Sequence, residues 1–112
     1  MDKKYSIESL KEIADNDREF MVVVVQTFLE EIPPDLKAMK EAIINNNREL
    51  AYQFAHKMKP NFEMFGIDVI KEITSIESWT KSLKSYAAIS STLDYVTSTL
   101  DIVFKELKED FN

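Results

Sequence analysis

The chain has 112 residues, 45% of them hydrophobic, with no cysteine, one glycine and three prolines. That length suits a single domain spanning residues 1–112 with a real core, and the composition excludes a disordered chain, a disulfide framework and a thiolate metal site. Fourteen basic against twenty acidic residues leave a net charge of −6, which argues against nucleic acid or an anionic membrane as partner, because phosphate neutralisation supplies most of that affinity.

Scarce glycine and proline also leave few tight turns for an all-β domain, whereas the abundant alanine, leucine, isoleucine, lysine and glutamate favour helices. A first short helix is expected from Tyr5 to Ala14, with Ser6 as N-cap and Ile7, Leu10 and Ile13 on one face, packing as a lid. Asn16-x-x-Glu19 has capping-box spacing. A long helix is therefore expected to start there and to bury Phe20, Val24, Phe28 and Ile32. Pro33-Pro34 interrupts that pattern, since each ring lacks an amide proton and collides with the carbonyl four residues back. The apolar period resumes at Leu36, Met39, Ile43 and Ile44, so the pair predicts a kinked or broken helix, bent to fit its neighbours, rather than a domain boundary or hinge.

Asn45-Asn46-Asn47 reads as a turn, with Asn46 or Asn47 capping a third helix that ends at Gly66, a natural C′ residue. Asp68 is expected to cap a fourth helix through Ile73, Ile76 and Leu83. A last helix runs from about Tyr86 to Asp110, where Ile89, Leu93, Val96, Leu100, Val103 and Leu107 alternate steps of four and three, a bundle-type seam. The predicted fold is all-α, an antiparallel up-and-down four-helix bundle with a short additional N-terminal helix. The longest aliphatic or methionine run, Met21 to Val25, is far too short for a membrane span, and Met1 to Tyr5 has no secretion-type apolar stretch. A cytoplasmic, monomeric, free-standing domain is the expectation.

His56 is the single histidine and the obvious reactive group. On a helical wheel centred on Met58, the residues Ala51, Phe54, Phe62 and Phe65 fall within about 40°, while His56 falls about 160° away. The aromatic set, with Trp79, is therefore core, and the histidine is predicted to be exposed. Lys59, at i+3, lies beside the ring and would stabilise negative charge arriving there. The Lys81/Lys84 and Lys105/Lys108 pairs read as solvated faces. On its own helix only Glu63, two turns on, offers a carboxylate toward the ring. A nucleophilic-serine triad has no G-x-S-x-G motif here, and a di-iron bundle has no Glu-x-x-His, because Gln53 occupies the glutamate position.

The run His56-Lys57-Met58-Lys59-Pro60, followed by Gly66 ten positions after the histidine, resembles the signature of histidine-containing phosphotransfer (HPt) domains. A short apolar helix, an acidic start to a long helix, the stretch Phe28 to Pro33 and a polar turn before the histidine extend the likeness over nearly the whole chain. The resemblance implies a phosphorelay carrier in two-component signal transduction. His56 would be the phosphoacceptor and Lys59 the charge-stabilising neighbour. The partners would be response-regulator receiver domains or a hybrid sensor histidine kinase. No cofactor is implied for this chain, the divalent metal belonging to the receiver. Two positions depart from the family pattern: Pro60 stands where glycine is usual, and Glu63 where a small residue is common. They motivate an alternative, a degenerate HPt that binds receivers without transfer.

Overall fold

The computed structural model describes residues 3–111, and among these the chain forms five α-helices, one 3₁₀ turn and no strand. The α-helices are α1 (Ile7–Ile13), α2 (Arg18–Ile44), α3 (Arg48–Met64), α4 (Ile70–Thr80) and α5 (Ser90–Asp110). In sequence order α2 packs on α3, α3 on α4 and α4 on α5, while α5 returns to touch α2 and α1 lies on α3. The longest dimension, 46 Å, follows from α2, whose 27 residues span about 40 Å at 1.5 Å per residue. No helix among the described residues is long and apolar enough to cross a membrane.

The core stripe of α2 is Met21, Val25, Phe28, Ile32, Leu36, Met39 and Ile43, shifted at its start from the predicted one. Phe20 is 48% exposed and Ile44 62% exposed; Val24 is only partly buried. On the wheel Met21 lies about 20° from Phe28 and Phe20 about 80°, and the capping residue differs from the expected one as well. Asp15 and Asn16 both take left-handed backbone conformations, with φ of 51° and 61°, so the chain reverses over them and the cap falls on Asp17. Its carboxylate accepts the Phe20 amide at 3.3 Å, and the Asn16-to-Glu19 capping box does not form. Of the expected kink or break at Pro33 and Pro34, the break does not occur: the helix continues through both. Ile32 and Leu36, buried on either side, hold both flanking turns against the core.

At the other end of α2 the turn Asn45-Asn46-Asn47 is as expected, with Asn46 left-handed at φ 57°. Asn47 caps α3 by accepting the Leu50 amide at 3.3 Å. The predicted stripe of α3 is buried at Ala51, Met58, Phe62 and Phe65, with Ala55 added and Phe54 only partly covered. The helix ends in a Schellman motif: Gly66 N–H donates to the Glu63 carbonyl (3.1 Å) and Ile67 N–H to the Phe62 carbonyl (3.0 Å). Gly66 has φ 62°, and a methyl group there would lie 2.6 Å from Ser6 Cβ. The glycine thus serves two needs, the left-handed turn and the close seating of α1, whose Ser6 N–H donates to the Phe65 carbonyl at 2.8 Å. Ser6 caps α1 as predicted.

Three boundaries further on differ from expectation: both ends of α4, and the start of α5, which is Ser90 rather than about Tyr86. Val69, not Asp68, occupies the N-cap of α4, and it makes no side-chain cap bond. The helix stops at Thr80, leaving Leu83 outside it and fully exposed. The reason is Arg48. Its guanidinium stacks 4.0 Å over the Trp79 ring and donates to the carbonyls of Trp79, Ser82 and Lys84, while Trp79 Nε1 donates to the Ser85 carbonyl. Carbonyls claimed by a guanidinium replace the next helical turn, and Leu83 is directed outward. Residues Tyr86–Ala88 form the 3₁₀ turn before α5, whose six predicted seam residues are all buried.

The two ends of the chain meet. Buried Tyr5 donates its hydroxyl to Asp110 Oδ2 at 2.6 Å, Lys3 pairs with the same carboxylate, and Arg18 lies 4.6 Å over Phe111. Burial, with the Asp110 carboxylate beside it, pushes the Tyr5 hydroxyl well above the ordinary tyrosine range. The Tyr5 hydrogen bond, helped by Lys3, holds Asp110 below the ordinary carboxylate range despite partial burial. The clasp therefore stabilises the fold fully only between two limits. Its Asp110 part is lost as pH falls below about 4, and its Tyr5 part as pH rises past about 10. Thermal unfolding of Tyr5→Phe against the parent chain across pH 3–11 is expected to show its largest deficit between those limits, narrowing toward both ends; a deficit independent of pH would refute the clasp.

Candidate functional site

His56 lies in the middle of α3 with 68% of its side chain exposed, as the helical wheel predicts. What the wheel does not give is the partner of its ring. Nδ1 lies 3.0 Å from Glu77 Oε2, on α4. The other oxygen of that carboxylate accepts from Lys59 Nζ at 3.1 Å. Lys59 is thus beside the histidine as expected, but its charge is already engaged by Glu77. Glu63, the carboxylate that α3 itself offered, is exposed and is not the group bonded to the ring.

The state of Glu77 sets the state of the imidazole. Only 12% of its side chain is exposed. Burial pushes its carboxyl group up, but hydrogen bonds from His56 and Lys59, with their charges, outweigh that and hold it below the ordinary carboxylate range. Ionised, Glu77 can only accept, so Nδ1 carries the proton and donates. In the neutral ring the lone pair is then on Nε2, and a second interaction keeps the ring in place. The Tyr52 ring, one turn earlier on α3, stacks on it at 5.5 Å between centroids and 11° between planes. Lys81 Nζ in turn sits 4.4 Å from the centre of the Tyr52 ring. Stacking on one side and a hydrogen bond on the other leave the imidazole little rotational freedom.

An open cleft of about 250 Å3 runs beside the ring, with Tyr52 and Lys59 of α3 on one wall and Thr74, Glu77 and Ser78 of α4, with its C-cap Lys81, on the other. The remaining lysine of the motif, Lys57, points to the opposite flank and pairs with Asp35 of α2 at 3.1 Å. Pro60 is exposed, and α3 continues through it to Met64, so the helix bearing His56 is not broken there. No group of three or more histidines and carboxylates able to hold a metal ion occurs among the described residues. The arrangement is a nucleophile-ready imidazole with a fixed tautomer, a carboxylate to accept the charge it would develop, and cations within the same cleft.

Glu77 and Lys81 were the residues sequence reasoning missed, and the signal for both is one of register. The chain turns between α3 and α4 at Gly66-Ile67. His56 lies ten residues before Gly66 and Glu77 ten after Ile67; Tyr52 and Lys81 lie fourteen before and fourteen after. A tight antiparallel helix pair brings such mirror positions level with each other. No protein-family model, curated protein or solved structure matches the chain.

Proposed function

We propose that the chain is a phosphorelay carrier of the histidine-containing phosphotransfer type, with α2 to α5 forming its antiparallel four-helix bundle and α1 its lid. The observation that carries this reading is the exposed His56 ring held through Nδ1 by Glu77. In the reaction the Nε2 lone pair attacks the phosphorus of an aspartyl phosphate on a receiver domain. The phosphorus–oxygen bond breaks, and its electron pair leaves with the receiver carboxylate. The phosphoimidazolium that results keeps its Nδ1 proton, and its positive charge faces Glu77. Attack by the carboxylate of a second receiver reverses these steps. The chain contributes position and electrostatics, which is most of what phosphoryl transfer requires of a protein. The divalent ion such transfer uses is assigned to the receiver.

The cyclic contact of α2, α3, α4 and α5 supports the bundle. Continuity of α3 through Pro60 favours a carrier over a degenerate binding module, since the site upstream of the proline keeps regular helical spacing. Incubation with a labelled, phosphorylated receiver domain is expected to leave acid-labile label on the wild-type chain and none on His56→Gln. Equal labelling of the two, or no labelling with binding intact, would overturn the carrier reading, the latter in favour of a binding module.

A further inference from the structure

We propose that Lys81, the C-cap residue of α4, is the cation that meets the phosphoryl group on His56, and that Lys59 serves instead to hold Glu77. The inference rests on the phosphotransfer reading and divides its electrostatic work between two lysines. Both line the cleft beside the ring, but their commitments differ. Lys59 is 26% exposed and bonded to a carboxylate that is 12% exposed. Drawing it toward an incoming phosphoryl group would strip a poorly solvated Glu77 of one partner while that carboxylate is needed on Nδ1. The pair is also electrically neutral as it stands, so it offers a dianion little net attraction.

Lys81 forms no salt bridge among the described residues; the four present involve Lys3, His56, Lys57 and Lys59. Its ammonium rests on the face of Tyr52, one of the weaker contacts a cation makes at an exposed site. That same tyrosine stacks on His56. The lysine is thus parked one ring away from the imidazole, on a flexible four-carbon stem, with nothing charged to give up when it moves. The exposed hydroxyls of Thr74 and Ser78, on the same wall of the cleft, add neutral donors for phosphoryl oxygens.

A small donor tests this without any receiver. Phosphoramidate transfers its phosphoryl group to Nε2 as the phosphorus–nitrogen bond breaks and ammonia leaves with the electron pair. The 31P resonance of the product then reports the second ionisation of the phosphoryl group, which a neighbouring cation draws to lower pH. Lys81→Gln is expected to raise that midpoint by about half a pH unit, roughly a threefold weakening of the dianion's stabilisation. Lys59→Gln is expected to move it less, and Lys81→Arg to restore it. An unchanged midpoint in Lys81→Gln, or a larger shift in Lys59→Gln, overturns the assignment while the phosphotransfer reading stands. A wild-type chain that gains no phosphohistidine from either phosphoramidate or a receiver overturns both.

Discussion

Gly66→Ala should lower stability by about 2–4 kcal/mol, the largest loss expected from any single-methyl change in this chain. One part is backbone strain, since the position has φ 62°, where a non-glycine residue costs roughly 1 kcal/mol. The rest is steric. The added methyl would sit 2.6 Å from Ser6 Cβ and 3.2 Å from Ser9 Oγ, so α1 must lift or the turn must open. Lifting α1 also strains the Ser6-to-Phe65 hydrogen bond and loosens buried Leu10. Denaturant unfolding of the variant reads the total, and amide exchange at Ser9 and Leu10 reads the detachment. A loss below about 1 kcal/mol would mean that the seat of α1 is far softer than its packing implies.

The second large effect concerns chemistry rather than stability. On the phosphotransfer reading, Glu77→Gln should slow phosphoryl acceptance on His56 on the order of 10- to 100-fold. The amide no longer fixes which ring nitrogen carries the proton, nor does it offset the charge of the phosphoimidazolium. It also leaves Lys59 without its carboxylate. Folding should lose only a little, because the carboxylate's burial cost disappears together with the two hydrogen bonds that outweigh it. The initial rate of labelling from a phosphorylated receiver measures the effect, and the thermal midpoint supplies the control. A rate within twofold of wild type would reduce Glu77 to a link between two helices. A variant that is both slow and strongly destabilised would leave the orienting role refuted in its present form, since that role predicts the two readouts to separate.

The fold was legible where periodicity decides it. The seam of α5, the stripe of α3 and the glycine turn at Gly66 could each be read from spacing alone, because 3.6-residue geometry and the left-handed demand of a C′ position act within a few residues. The errors fell where distant contacts or an unusual local backbone intervene. Arg48 ends α4 by binding the Trp79 carbonyl from 31 residues away, and no local pattern around Leu83 records that. Consecutive left-handed residues at Asp15 and Asn16 moved a cap by one position. Pro33 and Pro34 sit within a helix that tertiary packing carries past them, against a strong local preference.

The site divides in the same way. The exposure of His56 and the nearness of Lys59 follow from one helix and were accessible to a helical wheel. The ring's actual hydrogen-bond partner is on the next helix, and a wheel of one helix cannot contain it. Lys59 illustrates the cost of that limit: its position was anticipated, but its charge is committed to a carboxylate that only the packing of α3 on α4 brings near.

Every group that lines the cleft lies between Tyr52 and Lys81, within a single helical hairpin. The site is therefore topologically local, and its alignment depends on the length of one connection. Adding one residue between Met64 and Ile70 would disturb the turn, closed by the Gly66 and Ile67 amides, that sets the register of α4 against α3. A shift in that register would take Glu77 and Lys81 off the face they share with His56 while leaving the composition of both helices untouched. Changes in the length of the N-terminal half of α2 or of the tail of α5 leave these residues in place. The short link after Phe65 carries no such tolerance, since it alone sets which residues of α4 stand opposite His56.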